Sequence, residues 1–212
     1  MRDLYEEQLK SLYAQIASMG KLCEEAILKT TEALTEGNVE LAAEIIAGDA
    51  VINQQERDLE ALCFKIILQQ QPVASDLRRI SAIIKLLTDL ERIGDQAADI
   101  AEIVKSANLT LPSEYMHICK MGTVVISMIA DSINAYVNAD LALAQSVIAK
   151  DDEVDALFLT VRGELLKALT AGDHPNGEML LDLFMITKYY EKTGDHATNV
   201  AEWVVYSITG EH

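Results

Sequence analysis

The sequence predicts an all-α fold built as two tandem, pseudo-symmetric three-helix bundles. Three observations carry that reading. Half of the 212 residues are apolar but only 5% are aromatic, so the core is mainly aliphatic, and the long segments are rich in Ala, Leu, Glu, Gln and Lys, which favour helix over strand. There are only three prolines, and no stretch alternates apolar and polar residues long enough to form a strand. Finally, residues 91–102 read ERIGDQAADIAE and residues 191–202 read EKTGDHATNVAE, the mark of an internal repeat.

The elements follow from helical periodicity and its stops. A first helix spans residues 3–35 and ends at EGN. Asn38 caps a second, which runs to about Gln71, where Pro72 interrupts it. Ser75 is the expected cap of a third, ending near Ala107. The segment NLTLPSE then joins the halves, with Ser113 as the expected cap of a fourth helix. Asp140 opens a fifth, AGDHPNG ends it near Ala171, and a sixth runs from about Asn176 to Ile208. The expected units are residues 1–109 and 110–212. Helices of ~30 residues are about 45 Å long, and short turns make them antiparallel neighbours. The halves match in detail: GDAVIN at 48–53 parallels KDDEVD at 150–155, and QQP before Val73 parallels DHP before Asn176.

On a helical wheel the third helix presents a core stripe of Ile80, Ile83, Leu87, Leu90, Gly94, Ala97 and Ala101. Glu91, Asp95 and Glu102 line its flank, with Asp99 slightly further out. The sixth helix repeats the register: Leu183, Tyr190, Gly194, Ala197 and Ala201 face the core, Glu191, Asp195 and Glu202 flank it, and Asn199 takes the outer place. The second helix adds Asp49, Asn53 and Glu56, and the fifth adds Asp151 and Asp155. Like charges at i and i+4 cost a few tenths of a kcal/mol, and a helix-interior glycine costs about 1 kcal/mol relative to alanine. The sequence carries both costs twice at equivalent places. Two acidic ridges on adjacent helices would offer oxygen ligands to a cation or a small cluster. Such donors suit hard cations, or bridged iron and manganese, better than structural zinc. Gly94 and Gly194 would let the neighbouring helix approach. The ordinary alternative is a solvated acidic face, in which Arg92 pairs with Asp95 and Lys192 with Asp195.

The charge balance is 17 basic against 34 acidic residues, a net charge of −17. That repels phosphate backbones and anionic membranes, so nucleic acid is not an expected partner. No apolar run approaches spanning length, and the charged start MRDLYEEQLK is unlike a signal peptide. Cys23, Cys63 and Cys119 read as reduced core thiols of a cytoplasmic protein. Glu114 and His117 form one Glu-x-x-His pair, where a di-iron bundle needs two. His196 is a minor ligand candidate, His174 sits in a turn and His212 at the terminus. Tyr189, Tyr190 and Trp203 read as core or interface. No nucleophilic triad or phosphate-cradling loop is present.

GDAVINQQE (48–56), QQPVASDLRRI (70–80), DLERIGDQAADIAE (89–102) and YYEKTGDHATNVAE (189–202) together resemble the PhoU family of phosphate-uptake regulators. The resemblance covers nearly the whole chain in order and spacing. It implies two related three-helix bundles, a cytoplasmic location and frequent homodimerisation. It also implies metal bound through Glu91/Asp95 and Glu191/Asp195, with iron, zinc and manganese among the candidate ions, singly or as multinuclear clusters. Family members are negative regulators that link a phosphate transporter, through its ATPase, to a phosphate-sensing histidine kinase. The sequence departs from the family pattern in reading EKTGD for ERIGD, in placing Phe158 where the second helix has Glu56, and in lacking a second QPVASDLR. The second site is therefore expected to bind metal more weakly. A carboxylate-bridged metalloenzyme and a plain helical interaction module are the alternative readings.

Overall fold

The computed structural model describes residues 2–171 and 176–211, with side chains from Tyr5 onward. Residues 172–175, with His174 and the expected DHP stop, and the terminal His212 lie outside the described residues. Six long helices form: α1 (Arg2–Glu36), α2 (Val39–Gln70), α3 (Ser75–Ala107), α4 (His117–Asn138), α5 (Leu141–Thr170) and α6 (Gly177–Thr209). There is no strand among the described residues.

Two caps work as the sequence predicts. The Asn38 side chain accepts from the Leu41 amide at 2.9 Å, and Asp140 accepts from Leu143 at 3.0 Å, each satisfying one amide that the helix cannot. Two others differ. Ser75 is itself the first helical residue, one position too late to cap, and Ala74 precedes it with φ +50° and no side-chain bond. The turn there closes through the main chain instead, Asp76 N to Val73 O and Arg78 N to Ala74 O. Ser113 opens a short 3₁₀ turn (Ser113–Tyr115), so α4 starts only at His117 and has 22 residues. The connector is pinned rather than loose: the Leu111 amide donates to Leu34 O at 2.9 Å, and Leu109, Leu111 and Tyr115 are buried.

α1, α2 and α3 pack together, as do α4, α5 and α6. α1 also packs on α4 and α3 on α6, which places these four helices centrally with α2 and α5 outside. One continuous aliphatic core runs through both halves. The α1–α4 contact is reciprocal. A Cβ on Gly20 would lie 2.5 Å from Ile133, and one on Gly122 would lie 2.7 Å from the Thr31 hydroxyl. Residues 20 and 31 of α1 thus repeat as 122 and 133 of α4, as a local twofold requires. Tyr190, fully buried, bonds the Thr31 hydroxyl at 2.8 Å and ties α6 to α1.

α4 corrects one expectation. Among the described residues it is the one helix long and apolar enough to cross a membrane. Its apolar residues, including Ile118, Met121, Val125 and Met128, are spent on the core. The cysteines are free thiols. Cys23 and Cys63 are buried, and burial pushes the Cys63 thiol up to about 12.

Candidate functional site

The two glycines do what their position requires. A Cβ on Gly94 would lie 3.0 Å from Ile52 of α2, and one on Gly194 would lie 3.2 Å from Val154 of α5. Each glycine therefore brings the ridge-bearing helix against its outer neighbour in the same register. The predicted core stripes of α3 and α6 are buried, with the flanking acids half-buried beside them; Glu102 is exposed.

In the first half the acids meet across α2 and α3. The Asp49 Oδ2 accepts from Asn53 at 2.7 Å, while its Oδ1 is buried without a hydrogen-bond partner, 3.4 Å from where a Gly94 Cβ would be. Asn53 Oδ1 is likewise buried and unpartnered. Burial, then the charge of Asp95, pushes the Asp49 carboxyl above its usual range. Glu91 is raised by burial and by Asp95, with Glu56 and Asp49 adding to the shift and Arg92 opposing it. Asp99 is raised by burial, Glu102, Asp95 and Asp49, and Glu56 by burial and Glu60. The compensating cation is Arg92, 3.1 Å from Asp95 and 3.7 Å from Glu91, and its side chain is 56% exposed.

The second half keeps the positions and changes the charges. Lys188 lies 2.6 Å and Lys192 3.8 Å from Glu191, and Lys192 bonds Asp195 at 2.7 Å. Asp151 faces Asp195, and burial followed by the charges of Asp195 and Asp155 raises its carboxyl. Asp155 itself is exposed. Phe158, in the place of Glu56, packs near Phe184, with the Lys188 ammonium 5.3 Å above its ring. Asn199 lies beside Asp151 and Asp195. Its amide also reaches across the α3–α6 interface and donates to Asp89 at 3.0 Å, and that half-buried carboxylate collects His196 at 2.9 Å and Trp203 at 3.1 Å as well. His117 pairs with Glu164 of α5 at 2.7 Å rather than with Glu114.

Sequence reasoning missed Asp89 and Lys188. Lys188 stands three residues before Glu191, a readable ion-pair spacing. Asp89 has no local signal, since its partners lie more than a hundred residues away.

Among the described residues, no three His, Cys, Asp or Glu side chains already converge as a ready ligand set. In chemistry the first ridge still fits a hard cation. Its donors are all oxygen, Asp49 carries an orphaned buried oxygen, and the carboxylates repel one another. The second ridge fits less well, its two α6 acids being held by lysines.

The description "PhoU domain" fits residues 16–104 and again 118–204. The chain is 37% identical over 212 residues to a phosphate-specific transport system accessory protein PhoU homolog of Clostridium acetobutylicum, spanning 99% of this chain and 96% of that one. It is 40% identical over 206 residues to the homolog of Aquifex aeolicus, spanning 97% and 93%. The crystal structure of PhoU from Pseudomonas aeruginosa matches with a TM-score of 0.93 at 32% identity, covering 98% of this chain and 100% of that chain. That of the phosphate transport system regulatory protein PhoU from Streptococcus pneumoniae matches at 0.87 and 29%, covering 98% of both. With both halves matched and relatives aligned over nearly their full length, the chain belongs to the PhoU family.

Proposed function

We propose that this chain is a non-enzymatic, metal-binding cytoplasmic adaptor that represses phosphate uptake, acting as a homodimer between the ATPase of a phosphate transporter and a phosphate-sensing histidine kinase. The regulatory part rests on family membership and on relatives named as phosphate-transport accessory proteins. The observation that carries the metal part is the orphaned Asp49 oxygen amid the raised carboxyls of Glu91 and Asp99. Asp49, Glu56, Glu91, Asp95 and Asp99 would hold the ion or cluster in the first half. Asp151, Glu191 and Asp195 would hold it more weakly in the second. A bound di- or trivalent cation would cancel the mutual repulsion of the acids and stabilise the folded state by mass action.

The net charge of −17 suits basic surfaces on both partners and steers association. The association rate should therefore fall as salt shortens the Debye length from its ~8 Å at physiological strength. Deleting the gene tests the regulatory reading. Phosphate-uptake genes should be derepressed in phosphate-rich medium, and tagged protein should retain the transporter ATPase and the kinase at low salt. Normal repression together with no retention would overturn it. Sedimentation of the purified protein tests the homodimer independently.

A further inference from the structure

The motif QPVASDLRRI, which has no counterpart in the second half, opens α3 ahead of the ridge acids and leads to a cavity that none of them lines. Its two arginines have different fates. Arg78 lies against Gly210, the left-handed cap of α6, so close that a Cβ there would collide with its guanidinium. Arg79 is exposed and forms no ion pair among the described residues. In so acidic a chain, an uncommitted guanidinium is unexpected.

Arg79 borders a cavity of about 290 Å³ where the four central helices meet, shared with Tyr13 of α1, Tyr136 of α4 and Ser207 of α6. The Tyr136 hydroxyl is buried there and has no hydrogen-bond partner. A buried donor left unmade is costly, and one beside a cavity calls for an acceptor. The Tyr13 ring meets Tyr136 edge-on at 5.5 Å and fixes its direction. Ser207 spends its proton on Val204 O at 2.8 Å, so toward the cavity it can only accept. Asp76, which also acts on Tyr5 and Tyr13, adds a negative charge nearby without pairing with Arg79. One cation, a hydroxyl donor, a hydroxyl acceptor and a carboxylate together favour an anion that still carries a proton.

The repeat does not require this arrangement. At the other end of the bundle the equivalents of Arg78 and Arg79 are Glu178 and Met179, and the equivalent of Tyr136 is Leu34, fully buried. There the Leu111 amide donates to the Leu34 carbonyl, and the connector residues Leu109 and Leu111 are buried.

We propose that the Arg79–Tyr136–Ser207 cavity binds a small protonated oxyanion of the hydrogen-phosphate class, free or as the head of a phosphorylated metabolite. Arg79 and the Tyr136 hydroxyl donate to its oxygens and Ser207 accepts its proton. The site uses none of the ridge acids, so it stands or falls apart from the metal reading.

Calorimetric titration of the chelator-treated full chain tests it, with inorganic phosphate, glycerol 3-phosphate and sulfate as probes. Phosphate or glycerol 3-phosphate should bind saturably, and the tighter of the two identifies the source. Sulfate, lacking the proton, should bind about tenfold more weakly or worse. Arg79→Met, the residue found at the other end, should weaken binding about 10- to 100-fold, and Tyr136→Phe, which keeps the ring packing, about 3- to 10-fold. If Arg79→Met does not fold, Arg79→Gln takes its place. No saturable binding of either phosphate probe at millimolar concentration, equal binding of sulfate, or an unchanged affinity in folded Arg79→Met would overturn the proposal.

Discussion

In the first half Asp49, Glu91, Asp95 and Asp99 crowd together beside Arg92, which is largely in solvent. In the second, Glu191 and Asp195 are held at 2.6 and 2.7 Å by Lys188 and Lys192. The backbones beneath the two ridges are matched down to the glycine against a β-branched residue, Gly94 on Ile52 and Gly194 on Val154. Helix register is therefore preserved by close packing, which tolerates little change in volume. The charges above it are free to diverge, because an exposed ion pair contributes at most about 1 kcal/mol. Shared architecture thus does not make the two ridges equivalent sites.

The comparison breaks most sharply at positions 89 and 189, equivalent in the repeat. Asp89 is the shared acceptor of His196, Asn199 and Trp203 across the α3–α6 interface. Asp89→Ala removes that acceptor and should lower unfolding stability by about 2–4 kcal/mol. Tyr189 sits at the mirrored place near Asp99 and Glu102, and Tyr189→Phe should cost less than about 0.5 kcal/mol. Chemical denaturation of both variants measures the difference. Equal losses would mean that the interface is symmetric in energy as well as in shape.

Acid should separate the halves next. Asp49, Glu56, Glu91 and Asp99 have raised folded-state carboxyls in the first half, against Asp151 among the ridge acids of the second. A raised folded value means the native state binds the proton more readily than the unfolded chain. Stability then falls as pH rises from the ordinary carboxylate range near ~4 through the raised values. Metal-free protein should accordingly gain stability on acidification from neutral pH toward that range. Glu91→Gln should remove more of this gain than Asp151→Asn. Melting curves across pH test it, and a gain untouched by Glu91→Gln would place the repulsion elsewhere.

The smallest expected effect sharpens the comparison by converting one ridge toward the other. Lys192→Met frees Asp195 and part of Glu191. Stability should change by less than about 1 kcal/mol, while metal affinity at the second ridge rises up to about fivefold. Competition with a metal indicator reads that change. A fall in affinity would show that Lys192 orders the site instead of blocking it.

Periodicity located all six helices because each buries one stripe over about six or more turns, and a long stripe averages out local exceptions. The Asn38 and Asp140 caps were legible because a short polar side chain stood directly before each apolar pattern. Ser75 misled for the same reason: the left-handed Ala74 sets the helix start by main-chain bonds that leave no side-chain signature. The acidic ridges and their glycines could be read from spacing within one helix. The Asp89 cluster could not, since it joins residues brought together only by α3 meeting α6. The cavity at Arg79 left one trace in the sequence, a motif present in one half and absent from the other.

The central claim is that the under-compensated first ridge holds more metal than the lysine-held second. Elemental analysis of protein purified without chelator or affinity tag tests it most directly, comparing the wild type with Glu91→Ala/Asp95→Ala and with Glu191→Ala/Asp195→Ala. The acids flank the core without filling it, so both variants should keep their helical circular dichroism. The account predicts that the first variant loses most of the bound metal and the second retains most of it. Unchanged metal in Glu91→Ala/Asp95→Ala, or the larger loss in Glu191→Ala/Asp195→Ala, would contradict it.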